Sequence, residues 1–139
     1  MRAAAVLPVG LVVVVAVFLA GCGGSGSKSG GGKKTIAGLS ANDHGTKSAS
    51  SGATEVEVDN FYFAPTVIKG KPGAKVTLHL KNGSSTEHTF TIDSQHVDQD
   101  LPPGKSATVT VTIPSSGGVS FYCKFHKSMG MAGALEASG

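Results

Sequence analysis

Ser106-Ala107-Thr108-Val109-Thr110-Val111-Thr112-Ile113 alternates hydroxyl-bearing and apolar residues without interruption. A period of two turns Ala107, Val109, Val111 and Ile113 to one face, which predicts a strand with one side in a core. The same alternation runs through Lys75-Val76-Thr77-Leu78-His79-Leu80-Lys81 and stops at Asn82-Gly83, a strong turn signal. It recurs in Glu55-Val56-Glu57-Val58-Asp59. Shorter strands are expected over 66–68, 88–93, 119–123 and 132–137, punctuated by Lys71-Pro72-Gly73, Pro102-Pro103-Gly104 and the turn at 114–118. No helical period of any length and no internal repeat appears. Residues 54–139 therefore read as an all-β unit of seven or eight short strands, an antiparallel sandwich or barrel.

Before residue 54 the composition changes twice. Arg2 precedes an apolar run over 3–20, which ends in Leu19-Ala20-Gly21-Cys22. One positive charge, an apolar segment and small residues at its end describe a secretory signal over 1–21. The quartet resembles a bacterial lipobox, which implies cleavage before Cys22 and a lipid on its sulfur. The competing reading is an uncleaved transmembrane anchor, although 18 apolar residues interrupted by Pro8 and Gly10 are marginal for a span. Either way the remainder is expected outside the cytoplasm, at the periplasmic or extracellular face of a membrane. Residues 22–53 are rich in Gly, Ser and Lys, with Ile36 and Leu39 almost alone as large apolar residues. Such a segment buries too little to offset the entropy of ordering it, so a flexible tether is expected, with His44 solvated in it.

The net charge of +3 is carried by that segment, where Lys28, Lys33, Lys34 and Lys47 face a single Asp43. Residues 54–139 hold seven Lys against eight Asp or Glu, a net charge of −1. A near-neutral domain without a basic stripe argues against a nucleic-acid partner.

With Cys22 lipidated, Cys123 is left as an unpaired thiol in an oxidising compartment. Parity places it at the end of an apolar stripe, Val119, Phe121 and Cys123, while His88 begins another with Phe90 and Ile92. A buried imidazole and thiol need partners, and a metal ion supplies one. His126, Met129 and Met131 follow within a few residues. Two imidazoles, a thiolate and a weak axial thioether make the donor set of blue copper electron-transfer centres. Zinc is the rival, but a thioether is a poor fourth ligand for a closed tetrahedral site. His79 and His96 read as surface residues, and Phe61 and Phe63 as core or edge packing.

Residues 54–139 resemble the cupredoxin family, specifically its plastocyanin, pseudoazurin and amicyanin group. The resemblance is carried by Phe61-Tyr62-Phe63-Ala64-Pro65, Lys71-Pro72-Gly73, Glu87-His88-Thr89-Phe90, Phe121-Tyr122-Cys123-Lys124-Phe125-His126 and Gly130-Met131-Ala132-Gly133. It implies a Greek-key β-sandwich or barrel holding one copper ion through His88, Cys123, His126 and Met131. Met129 has the amicyanin spacing from His126, but only Met131 is followed by the family's x-Gly. Relatives often carry Asn after the first histidine to brace the ligand loop, where this chain has Thr89. The implied role is single-electron transfer rather than catalysis, by a monomer docking briefly with redox proteins through a patch of Phe125, Met129 and Pro102-Pro103. The alternative is a copper scavenger or chaperone lipoprotein.

Overall fold

A computed structural model describes residues 32–139. The signal segment 1–21, the lipidation site Cys22 and the tether's first part, 22–31, lie outside the described residues.

The alternating stretches that decide the fold form its best-registered ladder. β1 (Lys33–Ile36), β2 (Leu39–Asn42), β3 (Thr46–Ser48), β4 (Thr54–Asp59), β5 (Tyr62–Ala64), β6 (Val67–Gly70) and β7 (Lys75–Asn82) come first in the chain. β8 (His88–Ile92), β9 (Val97–Leu101), β10 (Ser106–Thr112), β11 (Gly118–Tyr122) and β12 (Ala132–Ala137) complete it. β10 runs antiparallel to β7, with Val109 opposite Leu78 and Val111 opposite Val76. On this face Val111, Val76 and Leu78 are buried, while Thr108, Thr110 and Thr112 are exposed. Together with β4 and β5 they make one sheet, ordered β10-β7-β4-β5. The second sheet is ordered β3-β6-β12-β11-β8-β9, and β1 and β2 form a separate hairpin.

The two larger sheets enclose the core. Phe63 from the first sheet stands edge-on to Phe90 and Phe121 of the second, with ring centroids 5.8 and 5.2 Å apart. These offset geometries suit the aromatic quadrupole and fix the spacing of the layers. All seven strands expected from periodicity are present.

Three expectations need correction. Of the sandwich and barrel expected, the sandwich is the one formed, but its pairing is mixed rather than antiparallel throughout, since β4–β7, β12–β6 and β3–β6 run parallel. Residues 54–139 hold nine strands, β4 to β12, against the seven or eight expected there, the additions being the short β5 and the edge strand β9. Finally, residues 33–48, assigned to the tether, form β1, β2 and β3. Two apolar anchors suffice there: Ile36 and Ala41 are buried with Val67, Ala132 and Ala134 in a small second core. The remaining residues contribute backbone hydrogen bonds, which composition does not reveal. β3 pairs with β6, and His44, far from being solvated, stacks on Tyr62 at 3.7 Å. β9, read as polar loop, is likewise an edge strand. Its Asp98 and Asp100 point to solvent and Leu101 to the core, and charged outward positions protect such an edge from further pairing.

Candidate metal centre

His88 sits at the start of β8 and is fully buried. Its Nε2 lies 3.0 Å from Ser84 Oγ and 3.1 Å from Asn60 Oδ1. Ser84 Oγ also faces two pure acceptors, Asn82 Oδ1 at 2.8 Å and Thr86 O at 3.1 Å, which take its only proton. The Nε2–H is thus the donor toward Asn60 and Ser84, and the Nδ1 lone pair is left facing the site. Burial, and then repulsion from His126, lowers the pKa of His88 and favours the neutral ring that a metal requires.

Cys123 follows β11 and is fully buried, as its parity demands. Its Sγ lies 3.5 Å from His126 Nδ1 and 3.9 Å from His88 Nδ1, and the two Nδ1 atoms are 3.2 Å apart. The three donors lie within 4.8 Å of one another. A point equidistant from them is roughly 2 Å from each, the length of an ordinary metal–imidazole bond.

Thr89 braces this corner on two sides. Its N–H donates to Cys123 Sγ at 3.4 Å, and its Oγ1 accepts from Lys124 N–H at 2.9 Å. The same hydroxyl meets Thr91 Oγ1 at 3.1 Å, and Thr91 in turn donates to Asp98. Threonine thereby ties the first histidine's strand to the residue after the cysteine, the task expected of asparagine.

The ligand loop closes on itself. Cys123 N–H donates to Met131 O, and the N–H groups of Met129 and Met131 both donate to His126 O. A short 3-10 turn, Lys127–Met129, ends at Gly130, whose φ of +91° favours glycine. Met131 is then carried into the core beside Cys123, fully buried, whereas Met129 remains 44 % exposed. The Gly133 that follows is required by space. A Cβ there would stand 2.2 Å from Thr66 O and 2.5 Å from the Phe121 ring.

Three contributors, Asn60, Ser84 and Asn42, left no trace in the sequence pattern. Asn60 and Ser84 reach His88 from separate loops. Phe61, read from the sequence as core or edge packing, has its ring 4.6 Å from that of His126. Asn42, from the segment read as tether, hydrogen-bonds both Phe61 O and Met129 O. His79, paired with Glu55, and the exposed His96 stand apart from the site, as expected.

Two imidazoles converging with a thiol at one end of an all-β sandwich define a metal-binding β-sandwich protein. The profile of the family described as Cupredoxin-like domain matches residues 34–135, and the chain belongs to that family. The match begins within β1, in keeping with the hairpin's place in the fold. No curated protein matches the sequence. Among solved structures, the chain is similar to a reduced auracyanin from Roseiflexus castenholzii, at 20 % identity and a TM-score of 0.55. That alignment covers 66 % of this chain and 99 % of the auracyanin. It is also similar to the metal-binding domain of the Streptococcus pneumoniae Cu(I)-exporting P-type ATPase CopA, at 11 % identity and a TM-score of 0.59. There 69 % of this chain and 98 % of the other are covered. At these identities the likeness concerns the fold.

Proposed function

We propose that this chain is a blue copper protein that carries single electrons at the outer face of a membrane, to which Cys22 anchors it by lipid. The observation that carries the reading is the triangle of Cys123 Sγ, His88 Nδ1 and His126 Nδ1. A soft sulfur and two imidazoles, with the thioether of Met131 as a further weak donor, would hold copper in either oxidation state. When bound, the copper supplies a one-electron Cu(I)/Cu(II) couple, accepting an electron from a reduced partner and yielding it to an oxidised one.

The protein's own contribution is to keep these donors still. The buried His88 and Cys123 are fixed by packing and by Asn60, Ser84 and Thr89. The half-buried His126 lies between Phe125, 56 % exposed, and Phe61. Phe125 and Met129 are the exposed large apolar residues among those described, and both flank this histidine. A small apolar surface beside the electron's exit suits brief, weak docking of a redox protein.

A copper scavenger or chaperone is the second reading, favoured by the exposed thioether of Met129 next to the site. Voltammetry in the presence of a competing Cu(I) chelator separates the two. The carrier reading expects repeated reversible cycling with copper retained. Loss of copper to the chelator upon reduction would establish trafficking instead.

A further inference from the structure

Several amides of the ligand loop bond within the loop, while the carbonyls of Met129 and Gly130 are reached from outside it. Both are met by one residue of the N-terminal hairpin. The Asn42 backbone N–H donates to Gly130 O at 2.8 Å, and its Nδ2 donates to Met129 O at 3.0 Å. Both carbonyls lie at the end of the 3-10 turn, between His126 and Met131, where helical carbonyls lack intrahelical partners; Gly130 O also accepts from Ala132 N–H at 3.0 Å. The same Nδ2 donates to Phe61 O at 2.8 Å, and the Phe61 ring lies 4.6 Å from the His126 ring. One carboxamide therefore spends its two protons on the two segments that flank His126. The fit is close, since a Cβ on Gly130 would come within 2.8 Å of Asn42 Oδ1.

We propose that Asn42 is a positioning residue of the metal centre, which clamps the ligand loop to the Phe61 segment and so fixes His126. Its place in the fold supports this. Asn42 ends β2, and β2 is held to the second sheet by Ala41, packed with Ala132 and Ala134. The clamp is thus anchored to β12, the strand that follows Met131. The loop is held by groups outside the proposed donor set. The proposal rests on the copper reading only for its spectroscopic arm.

The test compares Asn42→Asp and Asn42→Ala with Ile36→Ala, which weakens the same hairpin without touching the loop. Asp keeps the side-chain shape but removes both donated protons. In the metal-free protein, hydrogen exchange at the Met129, Gly130 and Met131 amides should quicken about fivefold or more in either Asn42 variant, and less than twofold in Ile36→Ala, since each lost bond is worth about tenfold or less. In the copper-loaded protein, the thiolate-to-copper absorption should shift in the Asn42 variants alone. Unchanged exchange and absorption would overturn the clamp, as would equal effects from Ile36→Ala. If the wild-type protein takes up no copper, the blue-copper reading fails while the exchange measurement still decides the role of Asn42.

Discussion

The two imidazoles that meet Cys123 are held by unlike means. His88 opens a strand buried on both faces, and its far nitrogen is satisfied by Asn60 and Ser84. His126 belongs to a nine-residue loop, 123–131, with exposed neighbours, and is steadied by Phe61 and by hydrogen bonds that the loop makes to itself and to Asn42. Core packing fixes one side of the site, and a hydrogen-bonded loop fixes the other. The division separates two requirements: a rigid side sets the donor geometry, and an accessible side brings one ligand near the surface.

This contrast can be broken most forcefully on the packed side. Gly133→Ala places a methyl against Thr66 O, a backbone atom that cannot step aside, and should destabilise the protein by at least about 3 kcal/mol in denaturant unfolding. A loss below about 1 kcal/mol would mean that β12 and β6 are less tightly fixed than described. Next come the two histidines in the metal-free protein. His88→Ala leaves a void and unpartnered polar groups, and should cost about 2–4 kcal/mol. His126→Ala should cost less than about 1 kcal/mol. Equal losses would dissolve the distinction between the two sides.

The methionines sharpen it further. Met131→Leu replaces a buried side chain with one of similar volume, so stability should fall by less than about 1.5 kcal/mol while the copper reduction potential shifts. Met129→Leu, at an exposed position, should leave both unchanged. A potential that responds to Met129 and ignores Met131 would reassign the axial donor. The smallest effect concerns pH. Because burial and His126 lower the pKa of His88, the unfolded chain takes up a proton first as pH falls through its ordinary value of 6.5. Metal-free stability should therefore be full above that pH and decline below it. The decline should be weaker in His88→Gln, as measured by thermal unfolding at a series of pH values.

How much was legible in advance follows from the kind of force involved. Strands with one apolar face announce themselves by period, so β4, β7 and β10 could be placed from Val56, Leu78 and Val111 and their neighbours. Parity also put His88 and Cys123 at the ends of core-facing stripes, and both are buried there. The edge strands β3 and β9 were missed because backbone pairing largely holds them: β3 is exposed throughout, and β9 turns only Leu101 fully inward while Asp98 and Asp100 face water. Asn42, Asn60 and Ser84 were missed for a related reason. Each acts through a side-chain hydrogen bond to another segment, 4 residues away for Ser84, 28 for Asn60 and up to 87 for Asn42, and no periodicity records such a bond.

The central claim is that Cys123 is the thiolate ligand of a copper ion shared with His88 and His126. The direct measurement is titration of the metal-free protein with Cu(II), following visible absorption, in parallel with Cys123→Ser. The account predicts an intense thiolate-to-copper band that saturates at one equivalent in the wild type and is absent in the serine variant. A colourless wild type, or a serine variant of equal colour, would contradict it.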